Sequence, residues 1–73
     1  MTAGEVASLI QVIVGADEIL PDDNFFDVGG NSFLAIELIS AITDRTGVNL
    51  PLLDFISDPT AAGISQLLKD MAA

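Results

Sequence analysis

Asp22-Asp23-Asn24-Phe25-Phe26-Asp27-Val28-Gly29-Gly30-Asn31-Ser32 is the stretch on which the fold of this chain turns. With Pro21 before them, its Asp, Asn and Gly residues are turn formers, and they break any helical rhythm from Ala16 to Asn31. Ile19, Leu20, Phe25, Phe26 and Val28 punctuate the same segment. Apolar residues at that density predict a long connection pinned to a core, with Phe25 and Phe26 as anchors. Connections of this length inside a compact domain tend to be functional.

On either side the helical period is plain. Upstream, Thr2 and Glu5 have capping-box spacing, and Val6, Leu9, Ile10 and Ile13 recur at helical intervals before Gly15. A helix is predicted over Ala3–Val14. Downstream, Asn31 and Ser32 can cap a second helix that ends near Gly47. At 100° per residue Leu34, Ala35, Leu38, Ala41 and Ile42 share its inward face, Phe33, Ile36 and Ser40 lie opposite, and Glu37 and Asp44 flank them. After Pro51, one short turn around Leu53–Ile56 is expected. Asp58-Pro59 reads as an N-cap and first-position pair opening a last helix, with Ile64, Leu67, Leu68 and Met71 as its core stripe. The fold class is all-α: a small four-helix bundle of three main helices and one short one, filling residues 1–73 as a single domain.

The totals narrow what such a bundle can do. At 73 residues only about 60–65% of the unfolded chain's surface is buried on folding, so the core is modest. No Cys is present to reinforce it, so packing of Leu, Ile, Val and Phe must suffice. The net charge of −9 repels phosphate backbones and anionic membranes, which argues against both as partners and favours proteins with basic patches. Without His or Cys, nothing titrates naturally near neutral pH, and no catalytic residue stands out. Asp22, Asp23, Asn24 and Asp27 fail the calcium-loop pattern, because Phe26 sits where its third ligand belongs and Phe33 where its closing Glu should be, so no metal site is expected. No apolar run is long enough for a bilayer and no basic start marks a signal peptide; the expected location is the cytoplasm.

The Asp22–Ser32 stretch, continued through Leu34, Ala35 and Leu38 and resumed at Asp58-Pro59-Thr60 and Ile64, strongly resembles the peptidyl carrier (thiolation) domains of nonribosomal peptide synthesis, within the acyl-carrier-protein-like superfamily. The likeness runs from roughly Glu5 to Asp70. It implies that Ser32 receives a covalent 4′-phosphopantetheine from coenzyme A and that aminoacyl or peptidyl groups ride on the arm as thioesters. It implies as partners a phosphopantetheinyl transferase, an adenylation enzyme, and condensation or tailoring enzymes. The carrier itself is expected to be a monomer and a substrate of those enzymes. The absence of Cys then means that the thiol belongs to the arm.

Physical chemistry is compatible with that placement. If Asn31 caps the helix, Ser32 becomes its first residue, with a free hydroxyl near the positive end of the helix dipole. Gly29 and Gly30 allow a turn closed to bulkier residues and leave room for another protein's active site. Phe33 and Ile36, exposed beside Ser32, suggest a docking patch; the resemblance adds Glu37, Ser40 and Phe55. Two departures from the family pattern, Phe33 in place of Leu or Ile and the order Phe55-Ile56, bear on the choice of partner. A Met start and an end soon after the last helix suggest a freestanding carrier, although one excised from a longer synthetase would read the same. Two other readings stay open: an acyl carrier for polyketide or fatty-acid synthesis, which usually has Asp-Ser-Leu where this chain has Gly-Gly-Asn-Ser, and an unmodified helical interaction module.

Overall fold

The first helix is fixed by its own opening residues. Thr2 Oγ1 accepts from the Glu5 N–H at 3.1 Å while Glu5 Oε1 accepts from the Thr2 N–H at 2.9 Å, closing the capping box. In the computed structural model, which describes residues 1–72, α1 spans Ala3–Val14. Gly15 ends it with φ 74° and returns its N–H to the Gln11 carbonyl. Ala73, the last residue of the expected domain, lies outside the described residues.

α2 spans Ser32–Thr46, with Asn31 as its cap and Gly47, φ 72°, as its stop. α3 is the short helix Leu52–Ser57, which follows Pro51 without a side-chain cap. α4 spans Ala61–Ala72. No strand occurs among the described residues. α1 lies against both α2 and α4, and α3 against α4. Val6, Ile10, Phe25, Leu38, Ile42, Phe55 and Ile64 are the largest side chains removed from water, and they meet in one cluster. Burial of each such side chain contributes about 1.5–3 kcal/mol.

Three expectations need correction here. α4 opens at Ala61, not at Asp58-Pro59. Thr60 is the residue that caps it, its Oγ1 accepting from the Gly63 N–H at 2.9 Å and donating to Asp58 Oδ1 at 3.0 Å. Asp58 instead ends α3. A Cβ on Gly63 would run into the Asp58 carboxylate and lie 2.7 Å from the Asp58 carbonyl oxygen, so the close approach of the two segments requires a glycine. Met71 is 41% exposed and leaves the core stripe to Ala61, Ile64, Ser65 and Leu68. Phe26 lies partly in solvent, and of the two loop aromatics Phe25 alone is buried.

The long loop is tied at both ends of its turn-rich part. The Phe25 N–H donates to the Pro59 carbonyl at 2.8 Å, and the Ala62 N–H donates to the Pro21 carbonyl at 2.9 Å. Inside the loop, Asp23 Oδ2 accepts from the Leu20 N–H at 2.8 Å and Asn24 Oδ1 from the Phe26 N–H at 2.9 Å. These side chains serve the loop's own backbone, the turn role expected of them.

Candidate functional site

The turn into α2 is shaped differently by each of its two glycines. Gly29 has φ 113°, a conformation that side chains disfavour. Gly30 is not held at a positive φ but has no space: a Cβ there would strike the edge of the Phe25 ring and sit 2.6 Å from the Phe25 carbonyl oxygen. The Gly30 N–H donates to that same oxygen at 2.9 Å. Gly30 is thus required by packing inside this chain, a reason distinct from the room for a partner inferred from sequence.

Asn31 then caps α2, its Oδ1 accepting from the Leu34 N–H at 2.9 Å. That leaves Ser32, the first helical residue, exposed and with a hydroxyl that makes no hydrogen bond to another described residue. The first turn of α2 carries no acidic residue, although the chain is acidic overall. An anionic ester on Ser32 would therefore meet unpaired N–H groups and the positive helix end without a carboxylate in that turn to oppose it. The residues present fit a covalently attached phosphate.

Beyond Ser32 the outward face of α2 is apolar at its upper end. Phe33 is 78% exposed and Ile36 61%. With Glu37, Ser40, Ala41 and Asp44 they line a shallow groove along the helix. Four of the five residues proposed for docking are therefore brought together. Phe55 is not among them: it is 0% exposed, packed edge-on against Phe25 with ring centroids 5.4 Å apart. Its neighbours Leu52, Leu53 and Ile56 take the exposed side of α3, with Leu53 79% exposed. The sequence pattern did not single out those three; Ala41, expected on the inward face, does pack partly against the core and also lines the edge of the groove. Their apolar character was visible; which side of a six-residue helix faces water was not.

Among solved structures, a peptidyl carrier domain described as a prototype for those of modular peptide synthetases superposes with a TM-score of 0.81 at 27% identity, covering 92% of this chain and 88% of that one. A structure of the phosphopantetheine transferase Sfp with coenzyme A and a peptidyl carrier protein gives a TM-score of 0.91 at 24% identity, covering 96% and 91%; at that identity it speaks to the fold. Fold and site together define a helical carrier domain.

The family described as "Phosphopantetheine attachment site" matches residues 4–68, and the chain belongs to it. A probable non-canonical nonribosomal peptide synthetase, CymA of Salinispora arenicola, is 36% identical over 63 residues, which is 86% of this chain and 1% of that protein. The chain spans 1–2% of the length of the first curated relatives it matches. Its cofactor is covalently attached 4′-phosphopantetheine, and it acts as a carrier on which partner enzymes work. No helix among the described residues is long and apolar enough to cross a membrane.

Proposed function

We propose that Ser32 is the attachment point and that the chain, as a single domain, carries aminoacyl or peptidyl thioesters in peptide natural-product assembly. The observation that carries this reading is the uncovered Ser32 hydroxyl at the mouth of α2, released from capping duty by Asn31. Support for peptide rather than fatty-acyl cargo comes from the synthetase relatives and from the Gly-Gly-Asn-Ser sequence.

In the modification step the Ser32 oxygen forms a bond to the phosphorus that bears the pantetheine chain of coenzyme A. The bond from that phosphorus to the bridging oxygen breaks, and adenosine 3′,5′-bisphosphate leaves. The serine proton passes to a base on the transferase, because this chain has no His and no Cys to take it. When bound, the arm supplies a thiol that holds the cargo as a thioester. The protein's own contributions are the fixed turn, the helix N-terminus and the docking face.

That face comprises Phe33, Ile36, Glu37 and Ser40, and it serves the transferase, an adenylation enzyme, and condensation or tailoring enzymes in turn. The net charge of −9 speeds encounter with basic partner surfaces and makes it depend on salt. Incubation with coenzyme A and a broad-specificity phosphopantetheinyl transferase should add one phosphopantetheinyl group, and Ser32→Ala should abolish the addition. An unchanged wild-type mass would refute the proposal. Amino-acid loading by an adenylation enzyme supports peptidyl cargo, whereas malonyl loading would replace it with acyl cargo.

A further inference from the structure

Phe55 is the one buried residue of α3, and its surroundings lead straight to Ser32. Its ring meets Phe25 at 5.4 Å between centroids and 75° between planes. Phe26 closes the cluster, 5.3 Å from Phe25 and 6.0 Å from Phe55. Phe25, itself fully buried, fills the space that a side chain on Gly30 would need and accepts the Gly30 N–H at 2.9 Å. Two residues further on stands Ser32. Behind Phe25, its own N–H is held by the Pro59 carbonyl at the α3–α4 connection. The turn that presents Ser32 therefore rests on Phe25, and Phe25 is held from behind by α3 and the segment that follows it.

We propose that Phe55 is a positioning residue for the modification of Ser32, acting through Phe25 and Gly30. The inference rests on Ser32 being the attachment point. An aromatic ring at position 55 sets where the Phe25 ring can lie, and Phe25 sets the height of the Gly30 backbone. A smaller side chain lets Phe25 sink and the turn follow, so that the hydroxyl is offered to the transferase off-line. Docking through Phe33 and Ile36 is untouched, because those side chains lie largely in solvent and neither belongs to the buried core that holds Phe25 and Phe55.

Phe55→Leu keeps most of the buried volume while removing the ring edge. Its comparison is Leu68→Ala, a core truncation two turns along α4 from the Pro59 connection. Both are assayed as substrates of a broad-specificity transferase with coenzyme A, alongside hydrogen exchange at the Gly30 amide. A misplacement of about 1 Å can cost a reaction about 100-fold, so a partial shift should lower kcat for Phe55→Leu about tenfold while KM stays within about twofold. The Gly30 amide should exchange faster than in Leu68→Ala, whose kcat should match the wild type.

An unchanged kcat in folded Phe55→Leu would overturn the proposal, and so would an equal loss in Leu68→Ala. Failure of Phe55→Leu to fold would also overturn it, by assigning the ring to general core stability. If the wild type itself accepts no arm, the attachment reading fails instead, which is a different result from a wild type that is modified and a variant that is modified equally fast.

Discussion

Gly30→Ala offers a direct measure of how tightly the loop is locked to the turn. The added Cβ would collide with the Phe25 ring edge and lie 2.6 Å from its carbonyl oxygen, and Phe25 is fully buried with nowhere to retreat. Overpacking of this kind costs about 1–3 kcal/mol. Displacing the 2.9 Å Gly30–Phe25 hydrogen bond would add about 1 kcal/mol. A domain of this size has roughly 4–11 kcal/mol of stability in all, so the variant should lose a large share of it. For small domains each kcal/mol moves Tm by about 4–8 °C, which puts the expected fall at roughly 8–32 °C.

Thermal melts by far-ultraviolet circular dichroism would measure it, with two other glycines as references. Gly15 has φ 74° and open space around it, so alanine there meets only backbone strain of about 1–2 kcal/mol. Gly4 is helical and unobstructed, and alanine there should stabilise by about 0.5–1 kcal/mol. In a Phe25→Leu background the cost of Gly30→Ala should shrink by about 1 kcal/mol or more, since the obstructing ring is gone. A Gly30→Ala chain that melts within about 2 °C of the wild type would refute the packing argument.

Asn31→Ala removes the hydrogen bond to the Leu34 N–H and should cost about 1 kcal/mol in urea unfolding, with Asn31→Ser nearly neutral. Thr60→Ala, which strips the caps on Gly63 and Asp58, should cost about 1–2 kcal/mol. Phe33→Asp should slow transfer to partners while changing stability by no more than about 0.5 kcal/mol; lost helicity would place Phe33 in the core after all. Glu5 gives a pH signature. The Thr2 N–H bonded to its carboxylate, and then the Thr2 hydroxyl, hold its pKa below the ordinary 4.5. The unfolded chain thus binds the Glu5 proton more readily, so this contribution is present above pH 4.5 and is lost as pH falls through the lower folded value. Glu5→Gln keeps a capping acceptor but no titration, and melts on either side of that pH should show a shallower acid decline than the wild type.

Local rules carried the reading of α1 and α2 a long way. The Thr2–Glu5 box, Gly15, Asn31 and Gly47 are all short-range signals, and the structure uses each of them as such. The free Ser32 hydroxyl followed from giving the cap to Asn31. At the start of α4 the local signal pointed to the wrong residue. Asp58-Pro59 has the pattern of a helix start, but Gly63 packs under Asp58, the Pro59 carbonyl is taken by the Phe25 N–H, and Thr60 makes the cap. α3 is too short for a period to reveal its inner face, so Phe55, expected on the docking surface by resemblance, is instead the residue that packs inward on Phe25. Ser65 is buried because its Oγ donates to the Met1 carbonyl, a contact across nearly the whole chain that no local pattern announces.

The two proline carbonyls that fasten the long loop have a mechanical consequence. Pro21 and Pro59 lack an N–H, yet each accepts a backbone hydrogen bond from the opposite segment, which staples the loop across to the start of α4. Ser32 is therefore mounted on a braced pedestal. With attachment at Ser32 as proposed, a carried group would travel by whatever flexible reach lies beyond the serine oxygen, and each enzyme would meet the same braced base.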